Sequence, residues 1–203
     1  MSSVSESERR IKSGRGRALL IIDHPWQDSF NFAIARQLQK ELETAGVSVD
    51  FLDLHRENFD PVLRVEELAV YTKGQFKDPK VGAYQKRIEK ADYLIFVFPV
   101  WWSVMPALLK GFADKVFLPQ WAFDESDASP LLTHVRQAVV VSTMGAPEEG
   151  ICTVEDSFCR GLLEFCGVRN WKWFNISEVS NISREERRAF LEEVGSYCRT
   201  MVI

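Results

Sequence analysis

Residues 93–117 read YLIFVFPVWWSVMPALLKGFADKVF, and a change of period within this stretch decides the fold. Tyr93–Phe98 is an unbroken apolar run. It is short enough for a strand and apolar on both faces, as a strand in the middle of a parallel sheet must be. The run breaks at Pro99. From Met105 onward the apolar residues return at helical spacing, as Leu108, Leu109, Phe112 and Val116. The connection between strand and helix, Pro99-Val100-Trp101-Trp102-Ser103, holds two adjacent tryptophans that are costly to leave bare to water. Either both indoles are core, or they wall a pocket for a flat ring system. Open parallel sheets bind ligands at the carboxyl ends of their strands, where this connection falls.

The same alternation extends in both directions. Strands are expected at Ala18–Ile22, Val47–Leu54, Val135–Val141 and Arg169–Ile176. Helices are expected from the end of the Asp23–Asn31 loop to Ala45, over Glu66–Thr72, Lys80–Lys90 and Thr153–Cys166, and after Ser183. Asp28 or Ser29 is the natural N-cap of the first helix and Gly46 a plausible C-cap. Ser183 and Glu186 stand at capping-box spacing. Asn58–Pro61 reads as a turn, and Leu118–Thr133 as a long irregular stretch. Five strands alternating with helices give right-handed crossovers and a sheet covered on both faces. The simplest solution is a doubly wound five-stranded parallel sheet of order 2-1-3-4-5.

The chain has 203 residues and a net charge of −4. That length suits one domain, here 18–203, and the charge argues against a phosphate-backbone binder. Met1–Arg17, rich in Ser, Glu, Arg, Lys and Gly, reads as a flexible N-terminal arm. No apolar run is long enough to span a bilayer, and no secretory signal is apparent. Cys152, Cys159 and Cys166 recur every seven residues, with no C-x-x-C pair. Buried free thiols in a cytoplasmic protein fit them better than a disulfide, metal or redox site.

On that topology three loops converge, after strands one, three and four. The first, Asp23–Asn31, ends at a helix N-terminus that favours an anion. Ser29 and Asn31 add side-chain donors there, and His24 can add another, although a lone histidine near a turn is often structural. The second loop supplies the indoles and backbone amides. The third, Ser142–Gly150, supplies Ser142 and Thr143 hydroxyls and the permissive Gly145. There is no dinucleotide G-x-G-x-x-G, no P-loop and no G-x-S-x-G elbow. His24, His55 and His134 show no metal-ligand spacing, and Glu148 and Glu149 have no second acid to pair with. No residue stands out as catalytic. A crevice so poor in acid–base groups suits a redox cofactor, which brings its own reactivity.

In order along the chain come His24-Pro25…Ser29-Phe30-Asn31, Asp53-Leu54…Asn58-Phe59-Asp60-Pro61, Gln85-Lys86…Ala91-Asp92 and Phe98-Pro99-Val100-Trp101-Trp102…Met105-Pro106-Ala107-Leu108-Leu109-Lys110-Gly111. This series resembles the NAD(P)H:quinone oxidoreductases of the DT-diaphorase type, which are flavodoxin-like, and the ancillary oxidoreductases of potassium-efflux systems. The resemblance implies a flavin whose phosphates are held by His24, Phe30 and Asn31. Val100, Trp101, Trp102 and Ser103 would line its ring, and Ser142, Thr143, Met144 and Gly145 the opposite edge. Gln85, matched to a glutamine on the adenosine half, favours FAD over FMN. Phe123 falls where the family sets an aromatic over the substrate, with Trp102 also facing it. Departures are Met144 in place of a glycine, Gly150 in place of a tyrosine, and no histidine from Ile151 to Ile203. They bear on quinone as the acceptor more than on flavin binding.

The activity implied is NAD(P)H-dependent hydride transfer through flavin N5 to a quinone or similar small acceptor, in ping-pong fashion. One rival is a flavodoxin-like regulatory module, such as an ancillary subunit of an ion-efflux system, with little turnover. A second is a one-electron carrier. A homodimer is implied as well, supported by the aromatic Leu118–Phe123 stretch.

Overall fold

A computed structural model describes residues 15–147 and 152–202. Most of the expected N-terminal arm, together with Glu148, Glu149 and Gly150, therefore lies outside the described residues. Arg17, read from sequence as part of the arm, opens the first strand instead.

The strands are β1 (Arg17–Ile22), β2 (Ser48–Asp53), β3 (Tyr93–Val100), β4 (Gln137–Met144) and β5 (Trp171–Ile176). All pair in parallel, in the expected order β2-β1-β3-β4-β5. The helices are α1 (Phe30–Thr44), α2 (Val65–Tyr71), α3 (Pro79–Glu89), α4 (Ala107–Val116), α5 (Glu155–Glu164) and α6 (Arg184–Thr200). The α5 segment is wound as a π-helix.

The period-two rule divides the core into two. From β1 and β3, Leu19, Ile21, Leu94, Phe96 and Phe98 face α3, α4 and α5, where Tyr84, Ile88, Phe112 and Phe158 meet them. Ala18, Leu20, Ile22, Ile95 and Val97 face the opposite side, against Ile34, Leu38 and Leu42 of α1 and Phe190, Val194 and Cys198 of α6. Every residue of β3 and β4 is buried, as a central parallel strand requires.

Three local expectations need correction, and they matter for the cleft. First, β3 does not end at Phe98. It runs through Pro99 to Val100, paired with Thr143 and Met144. Pro99 costs no ladder bond, because β1 has already ended: its last β3 pairing is Ile22 with Val97, followed by Asp23 N–H to the Val97 carbonyl. Residues 97 and 99 turn their backbone groups to the same side, so the missing N–H faces the open flank of the sheet. Second, the fourth strand is Gln137–Met144, not Val135–Val141, so Ser142 and Thr143 are strand rather than loop. Third, Leu118–Phe123 is not a bare aromatic surface. Leu118 and Ala122 are buried, and Trp121 packs on Phe117 and donates Nε1–H to Glu89.

Cys159, Cys166 and Cys198 are buried free thiols and Cys152 is half-buried. Burial pushes each of the three buried thiols up to about 12. Among the described residues no helix is long and apolar enough to cross a membrane.

Candidate functional site

The carboxyl ends of β1, β3 and β4 open onto a cleft of about 800 Å³. Its first wall is the β1–α1 loop. Ser29 is the N-cap of α1, accepting from the Phe32 N–H at 3.3 Å. The N–H groups of Phe30 and Asn31 are among those a helix leaves without an intrahelical acceptor. Asn31 is 3% exposed. Its Nδ2 donates to Thr143 Oγ1 at 2.9 Å, tying α1 to the end of β4. Its Oδ1 is the one buried side-chain polar atom without a partner among the described residues.

His24 lines the same wall. Burial holds its imidazole below the ordinary value, with the Trp26 carbonyl and the Asp23 carboxylate opposing. When neutral, Nδ1 accepts the Trp26 N–H at 3.0 Å and the ring keeps its proton on Nε2. When protonated, the same nitrogen faces the Trp26 carbonyl at 3.1 Å. A neutral Nε2–H donor is thus what the ring offers at neutral pH.

The second wall is a two-residue hairpin turn. Trp101 and Val104 exchange backbone hydrogen bonds of 3.0 and 3.2 Å. Between them Trp102 and Ser103 have φ of 51° and 69°. Both central residues are left-handed, the pattern of a type I′ turn, which favours Asn and Gly. Each such non-glycine residue costs about 1–3 kcal/mol unless surrounding structure compensates. Part of that compensation comes from Thr153, whose N–H and Oγ1 both donate to the Ser103 carbonyl. The core alternative for the indoles is excluded: Trp102 is 98% exposed and Trp101 is 46% exposed.

The third wall is Thr143, Met144, Gly145 and Ala146. A Cβ at Gly145 would meet nothing within 4 Å, so close approach is open there without a conformational demand.

All of the sequence-derived ligand residues lie in this cleft except Gln85 and Ser142. Gln85 is buried between α3 and α4, where its Nε2 donates to the Val116 carbonyl at 3.0 Å. Ser142 is fully buried inside β4, donating to Asn175 Oδ1 and accepting from Trp173 Nε1. Phe123 is also absent from this chain's cleft. It is bridged to Pro119 and Pro130 and stacked edge-on against Phe165 at 5.1 Å.

Sequence reading missed Trp26, Val179, Ser180 and Arg187 in the lining. Arg187, on α6, donates to the Val179 carbonyl and lies over the Phe30 ring at 5.0 Å. Only His24 and Arg187 among the described lining residues can carry charge. Nothing in the local sequence marks Arg187, which stands in a run of charged residues on an exposed helix. No group of acids, histidines and cysteines among the described residues could hold a metal ion.

A family profile described as the flavodoxin-like fold matches residues 16–198. A Haemophilus influenzae protein named an uncharacterized NAD(P)H oxidoreductase is 30% identical over 182 residues, 86% of this chain and 90% of that protein. NAD(P)H dehydrogenase (quinone) 1 of Cavia porcellus is 31% identical over 155 residues, 65% of this chain and 54% of the relative, so the match spans about half of that longer protein. The structure of an NAD(P)H:quinone oxidoreductase from Methanothermobacter marburgensis superimposes with a TM-score of 0.82 at 27% identity, over 92% of this chain and 96% of that one.

Proposed function

The chain belongs to the flavodoxin-like fold family, and on that premise we propose that it is an NAD(P)H-dependent flavin oxidoreductase serving a quinone or similar small acceptor in a ping-pong cycle. The observation that carries this reading is Asn31 Oδ1, a buried acceptor with no partner in the wall of the cleft. Leaving such an atom bare costs about 1–3 kcal/mol. A hydroxyl of a ribityl chain is a donor that would satisfy it. The relatives' names point to the same activity.

The residues present fit a flavin part by part. The α1 N-terminus and the His24 Nε2–H suit a phosphate. Trp101 and Trp102 offer flat apolar faces to a ring, and the backbone of Thr143–Gly145 would meet its opposite edge. The chemistry the flavin supplies when bound is hydride transfer at N5, inward from the nicotinamide and outward to the acceptor. The protein's share is to hold the ring, orient what stacks on it and exclude water.

The Gln85 argument for FAD falls with its position. What supports FAD over FMN is instead the reach of the cleft to Ser180 and Arg187, a cation beside Phe30 that a second phosphate would meet. A homodimer is supported by the exposed aromatics at the cleft mouth, Trp26, Trp101 and Trp102, rather than by Leu118–Phe123. A second copy would cover Trp26 and the indole surface that a bound ring leaves bare. Size-exclusion chromatography showing only a 23 kDa species would remove this part.

The regulatory-module reading keeps one observation in its favour: His24 and Arg187 are the only ionisable groups among the described lining residues. Titrating flavin-free protein with FAD and FMN, then assaying NADH and NADPH with a benzoquinone, separates the readings. Yellow protein with turnover supports the enzyme, and yellow protein without turnover the module. Colourless protein that takes up neither flavin sinks the enzyme and leaves only the module.

A further inference from the structure

We propose that Asp23 and His55 form a strut that sets the Trp101–Ser103 turn, making Asp23 a positioning residue of a cleft it does not line. The proposal rests on the flavin reading only for what the turn is placed to hold.

Asp23 is the first residue after β1, and it is 1% exposed. Its N–H and its two carboxylate oxygens are each committed to a different segment. Its N–H donates to the Val97 carbonyl of β3 at 3.0 Å. Its Oδ2 accepts from the Leu109 N–H at 2.8 Å, across 86 residues of sequence. Its Oδ1 meets His55 Nε2, also at 2.8 Å, and His55 lies just beyond β2. The His55 N–H is in turn held by Asp53 Oδ1 at 3.1 Å.

Leu109 is the third residue of α4, whose N-cap is Pro106 with no side-chain cap bond. Proline has no hydroxyl or amide to offer, so an N-terminal donor of α4 would go unpaired. Asp23 supplies from a distant strand the acceptor that a Ser or Asp at the N-cap would supply locally. Its charge also faces the positive end of the helix. His55 fixes the carboxylate's rotation so that one oxygen stays on Leu109.

Between β3 and α4 stands only the Trp101–Pro106 connection, with Trp102 and Ser103 left-handed. Such a turn persists only where both ends are held. Val100 holds one end through the sheet, and the first turn of α4 holds the other. The Asp23 carboxylate is what ties that first turn back to β1.

The test uses the full chain. Amide hydrogen exchange is measured on flavin-free protein, alongside FMN and FAD binding by fluorescence. Asp23→Ala is expected to speed exchange over residues 101–110 at least tenfold, leaving β1 and α1 unchanged, and to weaken flavin binding about tenfold. Asp23→Asn keeps an acceptor for Leu109 and a donor for a neutral His55, and is expected to restore both readouts to within threefold. Wild-type exchange over 101–110 in Asp23→Ala would overturn the proposal. So would an even rise across the chain, or faster local exchange with unchanged flavin affinity. Should Asp23→Ala not fold, His55→Ala carries the test, with about threefold losses expected and wild-type behaviour overturning it. If the wild-type chain takes up no flavin, the flavin reading fails and the exchange pattern still decides the strut.

Discussion

Trp102 separates a binding role from a packing role, because its side chain contributes almost nothing to the folded chain by burial. At 98% exposed it gives up almost no area to the core. Removing it leaves the turn's conformational cost in place, since alanine at φ of 51° is strained much as tryptophan is. Trp102→Ala should therefore change stability by no more than about 0.5 kcal/mol. For a chain of this length that is about 1–2 °C in Tm. Binding is different. A fully buried indole hides about 150–250 Å², so one covered face hides about 100 Å². At about 25 cal/mol per Å² this is about 2.5 kcal/mol. Ordering a mobile side chain takes back about 1 kcal/mol. The remainder, about 1.5 kcal/mol, is about tenfold in Kd.

Fluorescence titration of flavin-free protein with FMN and FAD, beside thermal unfolding of the same samples, reads both quantities. Trp102→Gly sharpens the comparison. It loses the same indole but relieves the left-handed cost, so it should melt about 2–4 °C higher than Trp102→Ala for about 1 kcal/mol gained. Unchanged flavin affinity in both variants would refute the stacking role. A fall of several degrees in Trp102→Ala would refute the premise that the indole is unpacked.

Asn31→Ala removes a buried orphan worth about 1–3 kcal/mol along with the Thr143 bond, so the two effects roughly offset. Flavin-free Tm should hold within about 3 °C while flavin affinity falls about tenfold; a large drop in Tm with intact binding would mean that the asparagine is there for the fold. Gly111→Ala places a Cβ 2.2 Å from the Pro61 carbonyl oxygen and 2.3 Å from its Cβ. Because α4 must move off the Asp60–Pro61 turn, about 1–3 kcal/mol should be lost, and wild-type urea unfolding would show that contact to be loose. For Asp23, burial raises the carboxyl above its ordinary 3.8, with the Leu109 N–H and then His55 opposing. The folded chain thus holds that proton more tightly than the unfolded chain, and the stability it contributes is lost as pH rises from the unfolded value through the folded one. Asp23→Asn cannot titrate, so its Tm relative to wild type should climb over that interval and then level; a difference flat with pH would refute the burial cost.

Most of the fold was legible because period and punctuation agreed. The apolar run of β3, the Ser29 cap and the Ser183–Glu186 capping box stand as read, and the C-cap expected at Gly46 falls one residue earlier, at Ala45, with Gly46 following at φ of 86°. The ends of β3 and β4 were not legible. Proline and Ser-Thr signal loops, and here each is tolerated for a tertiary reason: β1 stops before Pro99, and Asn175, Trp173 and Asn31 satisfy the two hydroxyls. The cleft followed from topology, since three strand ends in the right order must meet. Gln85 and Phe123 lie outside this chain's cleft because position in a motif does not fix where a side chain points. Asp23 carried a usable signal, a carboxylate directly after a wholly apolar strand. Its partners, however, are brought together only by the sheet.

The distribution of cost in the molecule argues for the cleft independently of any resemblance. Left-handed non-glycine residues also occur at Asn58, Gln120, Ala128 and Glu178, but with smaller side chains than tryptophan. At the cleft the disfavoured features accumulate: a bulky aromatic at positive φ with its face in water, a buried amide oxygen with nothing to bond, and a fully buried carboxylate at the head of the anion-favouring loop. Each alone lowers stability by an amount that a chain of marginal stability notices. Together they sit at the switch point of the sheet, while no other buried side-chain polar atom among the described residues lacks a partner. A ligand that covers the indole and donates to Asn31 recovers two of these costs on binding. Its affinity therefore comes partly from an exposed indole and an unpaired acceptor already present in the flavin-free chain, and not only from new contacts.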